Sequence, residues 1–115
     1  MTYGEIWWVD FGIPYGSEPG FRRPVVVVQN DILNLSKLNT CVVIPLSTNT
    51  NLKQYHGNVY ISSVESGLPK DSVALGALIT SVDRSKFDVK AGKISSDIVE
   101  QIVSAVDWVM GNNQL

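Results

Sequence analysis

The sequence predicts a mainly β protein, a small and partly open β-barrel that ends in one α-helix. Short runs rich in β-branched and aromatic residues, which are typical of strands, recur along the first 95 residues. Polar segments containing Gly and Pro separate these runs and predict turns. Only the segment after residue 95 repeats apolar residues at helical spacing, so a single C-terminal helix is expected.

The first three predicted strands lie within Tyr3–Gly12, from Pro24 to about Gln29, and over "TCVVIPLS". The segment "IPYGSEPGF" between the first two strands holds two prolines and two glycines, which predicts an exposed loop. The polar connection that follows is expected to contain one helical turn capped by Asp31. Pro45 is expected to end or bulge the pairing of the third strand, because proline cannot donate to a ladder.

The second half of the chain predicts shorter strands. A polar loop, "TNTNLKQYHG", leads into the half-buried strand "NVYIS", and "SVESGLPKD" is a turn-rich link. The apolar run "SVALGALITSV" predicts one longer strand with a bulge at Gly76. A short strand is expected near the end of residues 83–95, which makes five or six strands in all.

The final segment, "SSDIVEQIVSAVDWVMG", predicts the helix. Ser96 is the expected N-cap, and Gly111 is the expected stop signal. The apolar residues that recur at helical spacing are Ile98, Ile102, Ala105, Val106 and Val109.

Length and composition indicate one globular domain over residues 1–115. The chain is 44% hydrophobic and 17% charged, which is typical of an ordinary folded domain. Its single cysteine, Cys41, is expected to be a small core side chain in a reducing compartment. We see neither a secretory leader nor an apolar stretch long enough for a membrane span, so a cytoplasmic protein is expected. The net charge of −2 argues against sequence-independent binding to nucleic acid through a basic face, but not against a local basic site.

Two predicted strand ends carry groups that suit a phosphate. Arg23 comes directly before Pro24, which confines it to an extended conformation beside the Gly-rich loop. A guanidinium can grip a phosphate through two parallel hydrogen bonds. Ser47 and Thr48 stand at the end of the next apolar strand, so the three side chains converge if these strands are neighbours. Alternatively, the arginines are solvated charges that guard a sticky strand.

Several other chemistries find little support. One His and one Cys without ligand spacing give no metal pattern, and the acidic residues are scattered singly. The sequence contains neither a nucleophile elbow nor a Gly-rich phosphate loop followed by Lys-Ser/Thr. No metal or other cofactor is therefore expected.

Four segments, "GEIWWVDFG", "GSEPGFRRPVVVVQND", "VVIPLST" and "DSVALG", resemble the MazF/PemK (Kid) family of toxin endoribonucleases in order and separation. The resemblance covers nearly the whole chain. It implies an SH3-like open barrel, a homodimer and a cognate antitoxin partner that blocks the RNA groove. It also implies metal-independent cleavage of single-stranded mRNA at short motifs, an mRNA interferase activity. Attack by the RNA 2′-hydroxyl would then leave a 2′,3′-cyclic phosphate and a 5′-hydroxyl.

The resemblance transfers three catalytic roles to this chain. The family's catalytic arginine falls on Arg23, its catalytic hydroxyl on Ser47, and the loop glutamate used by some members falls on Glu18. Glu18 is our candidate general base. Many members carry an acid followed by Gln where this chain has Ala77 and Leu78, so an acid at that position cannot be the base here.

Further RNA contacts are predicted from charge and aromatic character. Basic side chains position phosphates, and a histidine in a loop can stack on unpaired bases, although a plain loop role is the alternative. Trp7 and Trp8 are adjacent, so they are expected to face opposite sides of their strand, one in the core and the other over the loop, a dimer contact or a base. The predicted RNA-binding residues are Arg22, Thr48, Lys53, His56 and Arg84.

Two other functions compete with the ribonuclease. A gyrase poison of the CcdB kind shares the fold, but the tail Asn-Asn-Gln-Leu after Trp108 and Val109 departs from the Trp-Gly-containing tail of those toxins. A non-catalytic barrel that binds nucleic acid or protein is the second alternative, because of Ala77 and Leu78. An RNA-cleavage assay separates both from the ribonuclease.

Overall fold

One sheet of seven antiparallel strands dominates residues 1–18 and 20–112, the part of the chain described by this computed structural model. Pro19 of the predicted loop and residues 113–115 of the tail lie outside the described residues. The strands run in the order β4-β5-β3-β2-β1-β7, and β6 also pairs with β3. Their bounds are β1 (Glu5–Asp10), β2 (Arg22–Val27), β3 (Thr40–Ser47), β4 (Asn58–Ile61), β5 (Ser72–Leu75), β6 (Thr80–Asp83) and β7 (Phe87–Lys93).

Two one-turn helices and one long helix complete the described residues, together with three 3-10 turns. A mainly β fold with an open sheet and a C-terminal helix is confirmed. Among the described residues, no helix has the length and apolar character that crossing a membrane requires. The helices are α1 (Asp31–Asn34), α2 (Ser63–Ser66) and α3 (Ser96–Val109), and the 3-10 turns are Thr50–Gln54, Gly76–Leu78 and Arg84–Lys86.

Both predicted helix caps are wrong by one residue. The side chain of Asn30, not Asp31, accepts a hydrogen bond from the backbone N–H of Ile32 and caps α1. Ser95, not Ser96, caps α3 by accepting from the N–H of Ile98. In each case two adjacent residues have capping side chains, and the earlier one takes the cap position.

The long strand predicted over residues 72–82 is divided in two. The chain leaves β5 at Gly76, makes a 3-10 turn and re-enters the sheet as β6. Pro45 is buried and lies opposite Val25, and the pairing of β3 with β2 ends at this pair, whereas β3 continues to Ser47 by pairing with β5. On its other edge Pro45 falls between the residues that pair with β6 and those that pair with β5. The strand expected near the end of residues 83–95 is seven residues long.

The core consists of two apolar clusters formed by alternating residues of the strands. Trp8 packs against one cluster and Trp7 against the other, so the two indoles do face opposite sides of β1. Cys41 is fully buried in the second cluster. α3 covers the first cluster with its buried residues Ile98, Val99 and Ile102.

Glu5 is a buried carboxylate that ties β1 to its neighbours. Only 8% of the residue is exposed. Oε2 lies 2.9 Å from Nζ of Lys90, while Oε1 accepts from the backbone N–H of Thr2 at 2.7 Å and from Nε1 of Trp7 at 3.0 Å. Burial alone would raise the pKa of Glu5, but these partners lower it from 4.5 to about 2. The ionised form therefore stabilises the fold.

Replacing Glu5 with Gln is expected to reduce the free energy of unfolding at pH 7 by about 3 kcal/mol, the equivalent of the lowered pKa. Because the pKa is lower in the folded state, this contribution is complete above pH 4.5 and disappears as the pH falls toward 2. Urea unfolding at pH 7, 5 and 3 measures it, and the difference between the variant and the unaltered protein should shrink at pH 3. Asp107→Asn, at an exposed carboxylate, is the control. A difference that is the same at all three pH values contradicts the assignment.

Candidate active site

Arg23 and Ser47 lie at the same end of two neighbouring strands. β2 and β3 are neighbouring strands that pair with Val25 opposite Pro45. This is the arrangement required for the Arg23 and Ser47 side chains to converge. The pairing ends at Val25 and Pro45, two residues from Arg23 on β2 and two residues before Ser47, the last residue of β3. Continued by two residues, the same register would set Arg23 across from Ser47. Side chains opposite each other in an antiparallel pair have Cβ atoms about 5 Å apart. A guanidinium and a hydroxyl therefore stand at the same end of two neighbouring strands.

Each of the two side chains is held by its own strand. Arg23 is half-buried and lies opposite Val9 of β1, with Pro24 restricting its backbone. Ser47 is half-buried and lies opposite Val73 of β5. Its Oγ accepts a hydrogen bond from the backbone N–H of Asn49 at 3.1 Å, which leaves its proton free to be donated. Together, the Arg23 guanidinium and the Ser47 hydroxyl can donate three or more hydrogen bonds to the oxygens of one phosphate.

Arg22 has different surroundings from Arg23. Its Nε lies 3.0 Å from Oδ2 of Asp88, and its guanidinium stands 4.5 Å from the centre of the Trp8 ring. The two ion pairs formed among the described residues use Arg22 and Lys90, not Arg23. Arg23 thus remains available for an anion, while Arg22 is held against the opposite face of the sheet.

Glu18 stands on a groove between the β1–β2 loop and the 3-10 turn Gly76–Leu78. The groove is open and encloses about 560 Å³. Ala77 and Leu78 contribute its far wall, so that wall supplies no carboxylate. The residues lining it are Tyr15, Gly16, Ser17, Glu18, Ala77, Leu78, Ile79 and Thr80.

The loop that carries Glu18 folds back on itself. Gly20 is buried, and a Cβ there would lie 2.3 Å from the Pro14 ring, so only glycine fits. Phe21 adopts a left-handed backbone conformation (φ 59°), which is uncommon for a bulky residue. Its carbonyl accepts from the N–H of Phe11 at 2.8 Å. This reversal brings the chain into β2 immediately before the two arginines.

A second, apolar pocket opens on the face opposite Arg23. It encloses about 200 Å³ and borders Thr48. Lys70 stands at its rim, in the segment "SVESGLPKD" that the sequence predicts only as a turn-rich link. The one available signal was a basic residue next to a proline in a loop. The pocket is lined by Trp8, Pro24, Thr48, Leu68, Pro69, Lys70 and Ser72.

The other predicted RNA-binding residues do not join Arg23 and Ser47. Lys53 Nζ lies 5.2 Å from the centre of the Tyr60 ring. His56 stacks on Trp108, with ring centres 3.9 Å apart and planes 15° apart. Arg84 donates from Nη2 to the carbonyl of Leu33 at 3.0 Å, near the start of β3. Ser47 ends that strand, so Arg84 is on the order of 20 Å away.

No group of three or more His, Cys, Asp or Glu side chains is placed to hold a metal ion in residues 1–18 or 20–112. The polar groups at this end of β2 and β3 are the Arg23 guanidinium and the Ser47 hydroxyl, whereas Thr48 borders the pocket on the opposite face and does not converge with them as expected. Such groups bind and stabilise an anion by hydrogen bonding.

Comparison with known proteins gives matches along most of the chain. Residues 2–110 match the family described as PemK-like, MazF-like toxin of type II toxin-antitoxin system. The chain is 34% identical to Endoribonuclease MazF6 of Mycobacterium tuberculosis (strain ATCC 25618 / H37Rv), over 89% of this chain and 90% of that protein. It is 30% identical to Endoribonuclease MazF of Staphylococcus saprophyticus, over 96% of this chain and 92% of that protein.

The fold is also that of a solved mycobacterial structure, an endoribonuclease in complex with its cognate antitoxin. The superposition has a TM-score of 0.79 and covers 100% of this chain and 99% of the other, at 16% identity.

Proposed function

The chain belongs to the PemK/MazF-like family of type II toxins, and from this premise we propose that it is an endoribonuclease that cleaves single-stranded mRNA and so inhibits translation and growth. The observation that supports the proposal most directly is the antiparallel pairing of β2 with β3, the strands whose neighbouring ends carry Arg23 and Ser47. The curated relatives that bear the endoribonuclease name support the same activity.

The proposed reaction is an in-line displacement at phosphorus. The 2′-oxygen of the substrate forms a bond to the adjacent phosphorus, and the bond from phosphorus to the 5′-oxygen breaks. The products are a 2′,3′-cyclic phosphate and a 5′-hydroxyl. Arg23 and the Ser47 hydroxyl donate hydrogen bonds to the non-bridging oxygens, where charge accumulates. Fixed donors of this kind contribute on the order of 3 kcal/mol each to transition-state stabilisation.

The proton of the attacking 2′-hydroxyl needs an acceptor. Arg23 is a poor one, because an arginine stays protonated at neutral pH. Ala77 and Leu78 have no proton-accepting side chain. Glu18, which lines the same groove, is the acidic residue nearest to Arg23 in sequence. We assign Glu18 as the general base, with the leaving 5′-oxygen taking its proton from solvent.

Replacing Glu18 with Gln keeps the shape of the side chain but removes the proton acceptor. Cleavage is expected to slow about 10²-fold at pH 7, which is typical for loss of a general base. Single-turnover cleavage of a defined RNA measures it, with Glu100→Gln, the same change at an exposed carboxylate of α3, as the control. A Glu18→Gln protein that cleaves at the rate of the unaltered protein contradicts the assignment of the base.

The proposal extends to partners and location. We propose that the protein acts in the cytoplasm as a homodimer and that a cognate antitoxin blocks its RNA groove. The solved mycobacterial endoribonuclease, which is in complex with its own cognate antitoxin, supports a partner of this kind. We also propose that Arg22, Thr48, Lys53 and Arg84 contact RNA beyond the scissile phosphate. For His56, whose ring is stacked on Trp108, we propose a role in RNA binding without direct contact. Arg22 is adjacent to Arg23 in sequence, and Arg84 lies near the start of β3, at the end of the strand away from Ser47.

The test is cleavage of a long defined RNA by purified protein in EDTA, with the new ends mapped by primer extension. Discrete cuts that carry 5′-hydroxyl ends are expected. A folded protein that leaves the RNA intact, with or without added divalent cations, overturns the proposal. A supercoiling assay with gyrase then separates the gyrase poison from a binding-only barrel.

A further inference from the structure

Two glycines meet where the loop after β3 contacts the 3-10 turn Gly76–Leu78. The backbone N–H of Gly76 donates to the carbonyl of Gly57 at 3.0 Å. A Cβ on Gly76 would lie 2.2 Å from that carbonyl oxygen, so the two backbones can approach only without a side chain there. We call this contact between Gly57 and Gly76 the glycine joint.

Both segments that meet at the glycine joint lead to the site. Gly76 begins the 3-10 turn that places Ala77 and Leu78 on the wall of the groove opposite Glu18. Gly57 closes the loop that starts directly after Ser47. A shift at the joint would therefore move two flanks of the site together. Arg23 and Ser47 are held separately, by the pairing of β2 with β1 and of β3 with β5.

The last turn of α3 packs on the glycine joint. A Cβ on Gly57 would lie 2.9 Å from Cγ2 of Val109 and 3.5 Å from the Trp108 ring. The Trp108 indole also stacks on the imidazole of His56, the residue before Gly57, at 3.9 Å. Trp108 is half-buried, so it covers the loop rather than filling the core. The end of α3 thus packs on the 48–57 loop, and this loop contacts the turn that carries Ala77 at the glycine joint.

We infer that Trp108 is a positioning residue for RNA cleavage. By stacking on His56 it fixes the glycine joint, and through the joint it fixes the 48–57 loop and the turn Gly76–Leu78, the two segments to which we assign selection of the RNA sequence. The inference rests on the proposed function. In this inference His56 acts through its contact with Trp108, because the indole already covers one face of the imidazole. Neither residue need touch the scissile phosphate for this role.

The test replaces Trp108 with Ala and measures KM, kcat and the cut sites on a defined RNA. We expect KM to rise about 3- to 10-fold, the equivalent of one aromatic stack. We expect kcat to stay within about two-fold, because the groups that act on the phosphate are held by other strands. The relative use of cut sites should also change. Trp108→Phe keeps a ring over His56 and should restore both KM and the cut sites.

Met110→Ala, on the exposed side of the same helix end, is the matched control and should change none of these quantities. His56→Ala, at an exposed side chain, should raise KM as Trp108→Ala does. The double variant should raise KM no more than either single change, because both remove one contact. His56→Ala also carries the test if Trp108→Ala does not fold. Sizing each variant beside the unaltered protein separates a KM effect from a change in association.

The outcomes distinguish the inference from the proposed function. If the unaltered protein leaves RNA intact, both are overturned. If it cleaves RNA, and Trp108→Ala or His56→Ala leaves KM and the cut sites unchanged, only the inference is overturned. Additive effects in the double variant also overturn it, since His56 would then act on RNA independently of Trp108.

Discussion

Replacing Arg23 with Ala is expected to lower kcat/KM for RNA cleavage by about 10²- to 10³-fold, the usual loss when one donor to a developing oxyanion is removed. Arg23 is half-buried at the end of β2 and is not engaged in either of the two ion pairs of the described residues. Its removal therefore costs little in stability, and the variant should remain folded. Cleavage of a defined RNA under single-turnover conditions measures the loss, with thermal unfolding as the check on the fold.

Two further variants make the expectation for Arg23 specific. Arg23→Lys keeps the charge but loses the planar fork, so it should recover only a small part of the activity. Arg22→Ala removes a neighbouring arginine that is already bound to Asp88 and stacked on Trp8. We expect it to change cleavage much less than Arg23→Ala. An Arg23→Ala protein that cleaves as well as Arg22→Ala contradicts the assignment.

The strands of this fold are predictable because their residue types are typical of strands and of few other structures. Valines at positions 25–28 suit a covered sheet and no other common environment, and the Gly- and Pro-rich loop before them excludes regular structure. The division at Gly76 is not predictable in this way. It depends on a carbonyl from Gly57, which arrives from another part of the chain, so the run from Ser72 to Val82 predicts one strand with only a bulge at Gly76.

The candidate site likewise has features that the sequence predicts and features that it does not. The extended conformation of Arg23 follows from one local rule about Pro24, and its placement at the same strand end as Ser47 needs only that consecutive apolar strands pair. The stack of His56 on Trp108 joins residues far apart in the chain and involves a helix end, for which no sequence pattern specifies a partner. Lys70 was missed for a similar reason, since the pocket that it borders is closed by β1 and β2 from elsewhere in the chain.

Replacing Gly76 with Ala is expected to reduce the free energy of unfolding by about 3 kcal/mol and Tm by roughly 10–15 °C. The new Cβ would collide with the carbonyl oxygen of Gly57 at 2.2 Å, a backbone atom that no rotamer change can move aside. Relief of that contact also breaks the hydrogen bond from Gly76 to Gly57. Thermal and urea unfolding measure the loss.

Gly12→Ala is the control that separates steric collision from backbone strain. Gly12 has a positive φ of 73° but no atom within 4 Å of its Cβ position, so alanine there costs only the left-handed conformation, about 1–2 kcal/mol. Gly76 has the reverse problem, because its φ lies outside the left-handed range and its space is filled. A Gly76→Ala protein no less stable than Gly12→Ala would show that the chain can relax at the glycine joint. The 3-10 turn with Ala77 and Leu78 would then be adjustable rather than fixed, and the wall of the groove opposite Glu18 would depend on the bound RNA.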